Sequence, residues 1–570
     1  MQQWGRIALL AAMFVTAYLI ILAWQKDYGP DAQVQQAPAA VAPRASTSTD
    51  IPSGPVAAGA TDTDIPAAAS VTNAANTVSN VAANSHLVEV FTDVYHLWID
   101  PQGGDVVRAE LLQHDLNKSQ EDKPFVMLEN DANRVYIAQS GLIGANGPDA
   151  GTNGRPSYET EHKQYRLQAG QQELVVPLVY KTANGVEVIK SFNFKAGQYP
   201  IHVNYRIINR SNQPWQGQMF GQIKRDNSAD PSKSHQGIFQ LGTYLGGAWG
   251  TPDEQYNKLK FDNFQSDALS KQAKGGWVGI VQHYFVTAWI PDAKYNATLE
   301  TRRVGDNNVI GFRSPTINVP AGMQYDVGAT LYTGPKIQSE LKDLAAGLNQ
   351  TVDYGWLWPI AQVLFIGLKF FHGVVGNWGW AIILLTCAVK LVLFPLSAKS
   401  YRSMAKMRLI TPEMQRLKEE HGEDRMKFSQ EMMALYKREQ VNPLSGCLPL
   451  LLQMPIFLAL YWVLMESVEL RHAPWLGWIQ DLSAMDPLFI LPLLMGVTMY
   501  VQQMLNPQPT DPMQAKVFKL MPIIFTVFLL FFPAGLVLYW IVNNLLTILQ
   551  QWLVNRSIAK EAAARTSSAD

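Results

Sequence analysis

The chain has 570 residues, 48% of them apolar and 16% charged, and a formal net charge of −1. That balance excludes a general attraction to nucleic acid or acidic lipid, so any electrostatic function must come from local charge distribution. Only two cysteines occur, Cys387 and Cys447, both in or beside apolar runs, which excludes a disulfide framework.

The first apolar run, Ile7 to Trp24, follows Arg6 and is long enough to cross a hydrocarbon core of ~30 Å. A cleavable signal peptide is the rival reading, but its apolar core would span only ~7–15 residues, with a small-residue cleavage site directly behind it. Here Trp24, Gln25 and Lys26 follow, and no cysteine is near enough to accept a lipid. Residues 1–28 are therefore read as a retained membrane anchor. From 29 to 85 the chain is Ala, Pro, Thr, Ser and Asn with almost no large apolar residues. Such a composition cannot offset the entropy of ordering, which predicts a flexible tether.

Between His86 and Thr333 the pattern changes to short alternating runs. Ile201, Val203, Tyr205 and Ile207, set between His202, Asn204 and Arg206, show strand periodicity. Asn184-Gly185 joins one alternating run, Leu174 to Tyr180, to another, Val186 to Phe194, which is a hairpin signal. One large antiparallel β-sandwich is predicted over 86–340. The pattern then turns helical. Residues 341–375 carry Trp356, Trp358, Ile360, Val363, Leu364, Leu368 and Phe371 with Lys369 as the one firm charge of the apolar stretch. An amphipathic helix lying in the membrane interface fits this stretch; a span interrupted by Pro359 is the alternative.

Apolar stretches follow at 376–397, 443–467, 488–505, 517–532 and 533–555, making six spans with the anchor. The connection at 398–442 is rich in Lys and Arg, whereas the loop at 468–487 has Arg471 alone; the loop at 506–516 and the tail at 556–570 complete the chain. Basic segments stay in the cytoplasm, so this alternation puts both termini inside and the β domain outside. The predicted fold class is a multi-domain membrane protein, with six transmembrane α-helices, five of them a core behind the N-terminal anchor, and a large external antiparallel β-sandwich.

The basic connection splits at His421-Gly422 into two helical halves. Met404, Met407, Ile410, Met414 and Leu417 stripe the first, and Met426, Phe428, Met432, Met433 and Tyr436 the second. A helical hairpin is predicted. Its methionines are either an adaptable docking surface for varied apolar segments or simply the core of the hairpin.

Lys390 lies deep in the second span, and a lysine at that depth costs about 2.5–3.5 kcal/mol, so it should face a water-filled cavity or a partner. No acidic residue lies at comparable depth, since Glu466 sits at the outer end of its helix. A hydrated cavity open to the cytoplasm is the better explanation than a paired proton relay. Thr386, Gln453, Gln502, Gln503, Asn543 and Asn544 also lie at membrane depth and together could line one concavity. Taken singly, each is better read as an interhelical hydrogen bond worth about 1 kcal/mol, and it is the set together with Lys390 that favours a hydrated groove. The fifth span, Val517 to Phe532, would extend only ~24 Å, which implies local bilayer thinning.

Enzyme signatures are missing: no phosphate-loop Gly-Lys pair, no His-Glu-x-x-His, no Cys-x-x-Cys, no Gly-x-Ser-x-Gly. No cofactor and no metal are called for.

The run Tyr401 to Tyr436, the stretch from Val441 through Pro449 to Leu458, Asp511-Pro-Met, and Phe532 through Trp540 to Asn544 closely resemble the YidC/Oxa/Alb insertase family. The resemblance covers the five C-terminal spans strongly, and the tether and β domain look like the periplasmic region of its Gram-negative members. It implies a multi-pass protein of the bacterial inner membrane, a chaperone and non-enzymatic insertase whose hydrophilic groove opens to cytoplasm and lipid. Lys390 would be the groove cation, where the family usually has arginine; the charge is kept and the guanidinium fork lost. Thr386, Gln453, Gln503, Tyr539, Trp540 and Asn544 match groove-lining positions, some relatives having Tyr in place of Trp540. Met454, Phe457 and Phe528 match an apolar slide that contacts a client helix. The partners implied are nascent and newly made membrane proteins, the bilayer, and the Sec translocon including SecD/SecF. Some relatives end in a long basic ribosome-binding tail; this chain stops at Asp570, so ribosome contact through the tail would be weak.

Two other readings stand beside this one. A transporter using Lys390 as an anion site would need a paired acid, a half-repeat or broken helices at midplane, and none is visible. A scaffold whose β domain does the work would lose its function on deletion of His86 to Thr333, a loss that an insertase core should survive.

Overall fold

Alternation of buried and outward side chains sets the strands of the N-terminal half. In Pro200–Asn209, Ile201, Val203, Tyr205 and Ile207 are fully buried while His202, Asn204 and Arg206 turn outward. The computed structural model describes residues 86–567 except 117, 119–122, 151–154, 234–242, 422–423, 440, 442–447 and 506–511. The anchor at 1–28 and the tether at 29–85 fall outside the described residues. Within them the chain divides into two compact units, 86–352 and 353–567.

The first unit stacks an eleven-stranded sheet on an eight-stranded one, as the predicted sandwich requires. Pairing is antiparallel throughout the described strands except between Val88–Phe91 and Gln164–Arg166. The predicted hairpin joins Glu173–Lys181 to Val186–Lys195, with Lys181 opposite Glu187. Gly185 makes that turn at φ +91°, a backbone that favours glycine. The unit closes later than the expected residue 340. Helix α1, Gln338–Leu344, buries Leu341, and a 3₁₀ turn at Leu348–Thr351 buries Leu348 and Thr351. Trp277 donates its indole N–H to the carbonyl of Ala346 at 3.1 Å, which ties this segment to the sandwich.

The sandwich holds a charged group in its interior, and one member, Lys190, stands on the inward face of its strand in phase with Val188 and Phe192. Arg155 bonds Asp105 at 2.5 Å and Asp149 at 2.8 Å. Lys190, from the eight-stranded sheet, donates to the carbonyls of Gly103, Gly104 and Ser140 on the other side at 2.6–3.1 Å.

The second unit is helical. Helix α2, Trp358–Val375, turns Val363, Ile366 and Phe370 outward and buries Ala361, Leu364, Phe365 and Leu368. Gly376, at φ +67°, ends it by donating its N–H to the carbonyl of His372. Asn377 then caps α3, Trp378–Val392, accepting from the N–H groups of Gly379 and Trp380. A break at Leu393 separates α3 from α4, Phe394–His421, and the two are bent by 68°. Pro395 explains the break, because it has no N–H and its ring crowds the carbonyl four residues back. The remaining helices are α5, Arg425–Arg438; α6, Leu448–Glu466; α7, Ile490–Met504; α8, Pro512–Leu529; and α9, Ala534–Ser567.

Among the described residues two helices are long and apolar enough to cross a membrane, Gly355–Val375 and Ala534–Ile558, or three if α3 and α4 form one bent span. The region read as interfacial thus also has the length of a span. The six-span count is not reached by this measure, because the anchor lies outside the described residues and the apolar helices Leu451–Glu466 and Ile490–Met504 are short. At 15 residues, α7 extends only about 22 Å at 1.5 Å per residue.

The hairpin of α4 and α5 decides part of the methionine question. Ile410, Met414, Leu435 and Val441 form its core, with Met407, Leu417, Met432 and Tyr436 packed against them. Met407, Met414 and Met432 are therefore core residues and not an open docking stripe. Met433 stays exposed, and Met404 lines a separate pocket with Tyr401, Arg408 and Leu505.

Candidate functional site

Helices α3, α6 and α9 each contribute polar side chains to one small cavity. It is lined by Thr386, Lys390 and Ser397 from α3 and the start of α4, Gln453 from α6, and Tyr539 and Asn543 from α9, with Val389, Leu393, Leu452 and Ile456 as its apolar wall. Its volume of about 20 Å³ holds roughly one water molecule. The concavity is thus too small to hold a helix.

Lys390 is half-buried and donates from Nζ to Thr547 Oγ1 at 2.8 Å. Its carbonyl faces the Gln550 amide at 3.5 Å. Thr386 is buried and spends its hydroxyl on the carbonyl of Ile382 at 2.7 Å. Gln453 faces the Tyr539 hydroxyl. Lys390, Thr386, Gln453 and Tyr539 therefore share one site.

The other expected lining residues lie elsewhere. Asn544 is buried and donates to Thr498 Oγ1 at 3.1 Å, joining α9 to α7. Gln503 donates to the carbonyl of Phe518 and so joins α7 to α8. Trp540 packs edge-on against Phe457 at 4.6 Å and near Phe525 at 5.8 Å. For Asn544 and Gln503 the bland reading, an interhelical hydrogen bond, describes what the structure places there. Asn544→Ala should accordingly lower the stability of the helical unit by about 0.6–1.7 kcal/mol, read as a melting shift of the detergent-solubilised protein by tryptophan fluorescence. Of the apolar slide residues, Met454 and Phe528 are exposed and Phe457 is half-buried.

Thr547 was missed, as were Gln550 and Gln551. All three are buried on α9 with Asn543 and Asn544. The signal was available: Asn543, Thr547 and Gln551 recur at intervals of four and fall on one face of a helix. Among the described residues no group of His, Cys, Asp or Glu is placed to hold a metal ion.

Comparison with known proteins places the two halves in two families. Residues 87–366 match the family described as the YidC periplasmic domain, and 370–561 match the 60Kd inner membrane protein family. The chain is 51% identical to a membrane protein insertase YidC of Pseudomonas putida strain GB-1 over 99% of both chains. It is 52% identical to the protein of that name from Stutzerimonas stutzeri strain A1501, over 98% of this chain and 99% of the relative. Among solved structures, an active YidC insertase crystal structure with its first transmembrane domain resolved covers 81% of this chain at 19% identity and a TM-score of 0.37, with 92% of its own chain matched.

Proposed function

The chain belongs to the YidC family of inner-membrane proteins, and from that premise we propose how it inserts other membrane proteins into the bilayer. Its function is membrane protein insertion, it acts on membrane proteins, and it carries a periplasmic β-sandwich beside a helical membrane unit. The observation that carries the mechanism is Lys390, a cation with no carboxylate partner among the described residues, set in a polar cavity among apolar helices.

The helices around the cavity separate to receive a client, and Lys390, Thr386, Gln453 and Tyr539 solvate the client's polar flank while it crosses. Gln503, Trp540 and Asn544 hold the surrounding helices together. Met454, Phe457 and Phe528 offer the client's apolar segment a surface facing lipid, and Met433, exposed on the second helix of the hairpin, meets it early. No covalent chemistry is involved. Short apolar helices thin the membrane locally and shorten the distance that the polar flank must travel. The full chain has six spans, both termini cytoplasmic and the β domain periplasmic, because its basic segments fall on alternate connections. It works alone on small clients and beside the Sec translocon, including SecD/SecF, on others, with weak ribosome contact at most.

Purified full-length protein in liposomes should protect a short Sec-independent client from added protease, where protein-free liposomes do not. A chain lacking 86–333 should retain that activity. Loss of insertion on that deletion, with the helical unit still folded, would move the function to the β domain.

A further inference from the structure

The hydroxyl of Thr547 sits between two partners whose roles are fixed by chemistry. Lys390 Nζ lies 2.8 Å from Thr547 Oγ1, and the carbonyl of Asn543 lies 2.7 Å from the same oxygen. An ammonium can only donate and a carbonyl can only accept. The threonine proton therefore goes to Asn543, and a lone pair receives the proton of Lys390. Thr547 is 3% exposed, and the Tyr401 hydroxyl from α4 lies beside it. The hydroxyl cannot turn its proton toward Lys390 without abandoning the carbonyl, so it is a committed acceptor. Gln550, one turn further along α9, faces the Lys390 carbonyl at 3.5 Å and holds the same stretch of α3.

We propose that Thr547 is a positioning residue for insertion: it parks the Lys390 ammonium on the wall of α9 in the empty groove and yields it to oxygen acceptors on a client's polar flank. The inference rests on the insertase reading. A neutral hydroxyl is a weaker acceptor for an ammonium than a carboxylate, since hydrogen bonds with both partners charged are about twice as strong as neutral ones. The exchange needs no helix movement at Lys390 itself, which already lines the cavity and can turn about its own side-chain torsions. The site rests with its cation in a defined place, and among the described residues no carboxylate competes for it.

The test is the reactivity of Lys390 in full-length protein reconstituted in liposomes. It is read by mass spectrometry as the rate of acylation by a small membrane-permeant amine reagent, normalised to the exposed Lys195 of the same molecule. Thr547→Val keeps the shape and removes the acceptor; Thr547→Ser keeps the acceptor. Lys390 in Thr547→Val should be acylated about tenfold faster than in wild type, the factor set by losing one charge-assisted hydrogen bond. Thr547→Ser should restore the slow rate. Adding the client should abolish the difference between wild type and Thr547→Val, because the client then holds the ammonium in both. Equal rates in wild type and Thr547→Val without client overturn the parked cation, and a difference that persists with client overturns the exchange. Client insertion by the wild type is scored in the same vesicles. Its failure would count against the insertase reading, separately from the reactivity of Lys390.

Discussion

Lys390→Ala should cut insertion of a short Sec-independent client by about ten- to a hundredfold in liposomes, the span set by losing a charged hydrogen bond of ~1.5–3 kcal/mol. The reason lies in the membrane and not in the lysine alone. A client's polar flank must cross an apolar layer where each unsatisfied polar group costs several kcal/mol. The cavity of Thr386, Lys390, Gln453 and Tyr539 supplies donors and acceptors at that depth, but only Lys390 supplies a full charge. Lys390→Arg should retain most of the activity, since the charge persists and the fork adds donors. Lys390→Met separates the charge from the bulk of the side chain: it fills the same space and should fail as Ala does. Insertion by Lys390→Ala equal to wild type would mean that the polar neighbours suffice for that client. Insertion lost in Lys390→Ala but kept in Lys390→Met would mean that the lysine acts by filling space.

What the sequence could and could not disclose follows from the kind of signal each feature carries. Alternation in Pro200–Asn209 and the turn at Asn184-Gly185 are local, and the strands and hairpin stand where those signals put them. The depth of Lys390 is also local, because a charge inside an apolar run shows itself by position. Whether two polar side chains on different helices share a cavity is not local. Thr386 and Asn544 look alike as polar residues at membrane depth, yet one lines the cavity and the other bonds Thr498 on α7. The hairpin methionines had the same ambiguity. Their spacing gave a stripe, but only the packing of Ile410 and Met414 against Leu435 decides that this stripe faces inward. Thr547 was legible in principle, since Asn543, Thr547 and Gln551 repeat every four residues, but a polar stripe on a span points to no partner by itself. Of the ion cluster in the sandwich, Lys190 was legible in principle, because it shares the inward register of Val188 and Phe192, whereas Arg155 lies outside any strand and carries no periodic signal.

That cluster sets the largest expected effect on stability. Arg155→Ala should destabilise the β domain by about 3–5 kcal/mol, because it strands two buried carboxylates. Arg155, Asp105 and Asp149 are all at most 5% exposed at the side chain. Burial pushes the Asp149 carboxyl up from its ordinary value, against the pull of Arg155 and of the Leu142 N–H. Burial also works to lower Arg155, and Asp105 and Asp149 more than reverse it. The geometry was built around the guanidinium: a Cβ on Gly103, whose φ is +86°, would lie 2.4 Å from Arg155 Cζ. For a domain of this size each kcal/mol moves the melting temperature by about 2–4 °C, so the loss should read as roughly 6–20 °C in the near-ultraviolet circular dichroism of the full-length protein.

The effect should also depend on pH, with a sign that identifies its cause. Without Arg155, the folded-state pKa of Asp149 rises further above its unfolded value. The folded variant then binds more protons than the unfolded chain between those two values, so its stability falls as pH rises through that window and recovers as pH drops. The deficit relative to wild type should therefore be largest at pH 8 and smaller near pH 5. Replacing both acids as well, as Asp105→Asn and Asp149→Asn in the Arg155→Ala background, should remove that pH dependence. A deficit that stays the same at both values would mean that lost packing against Phe220, whose ring centre lies 5.7 Å from the guanidinium, outweighs the stranded charge.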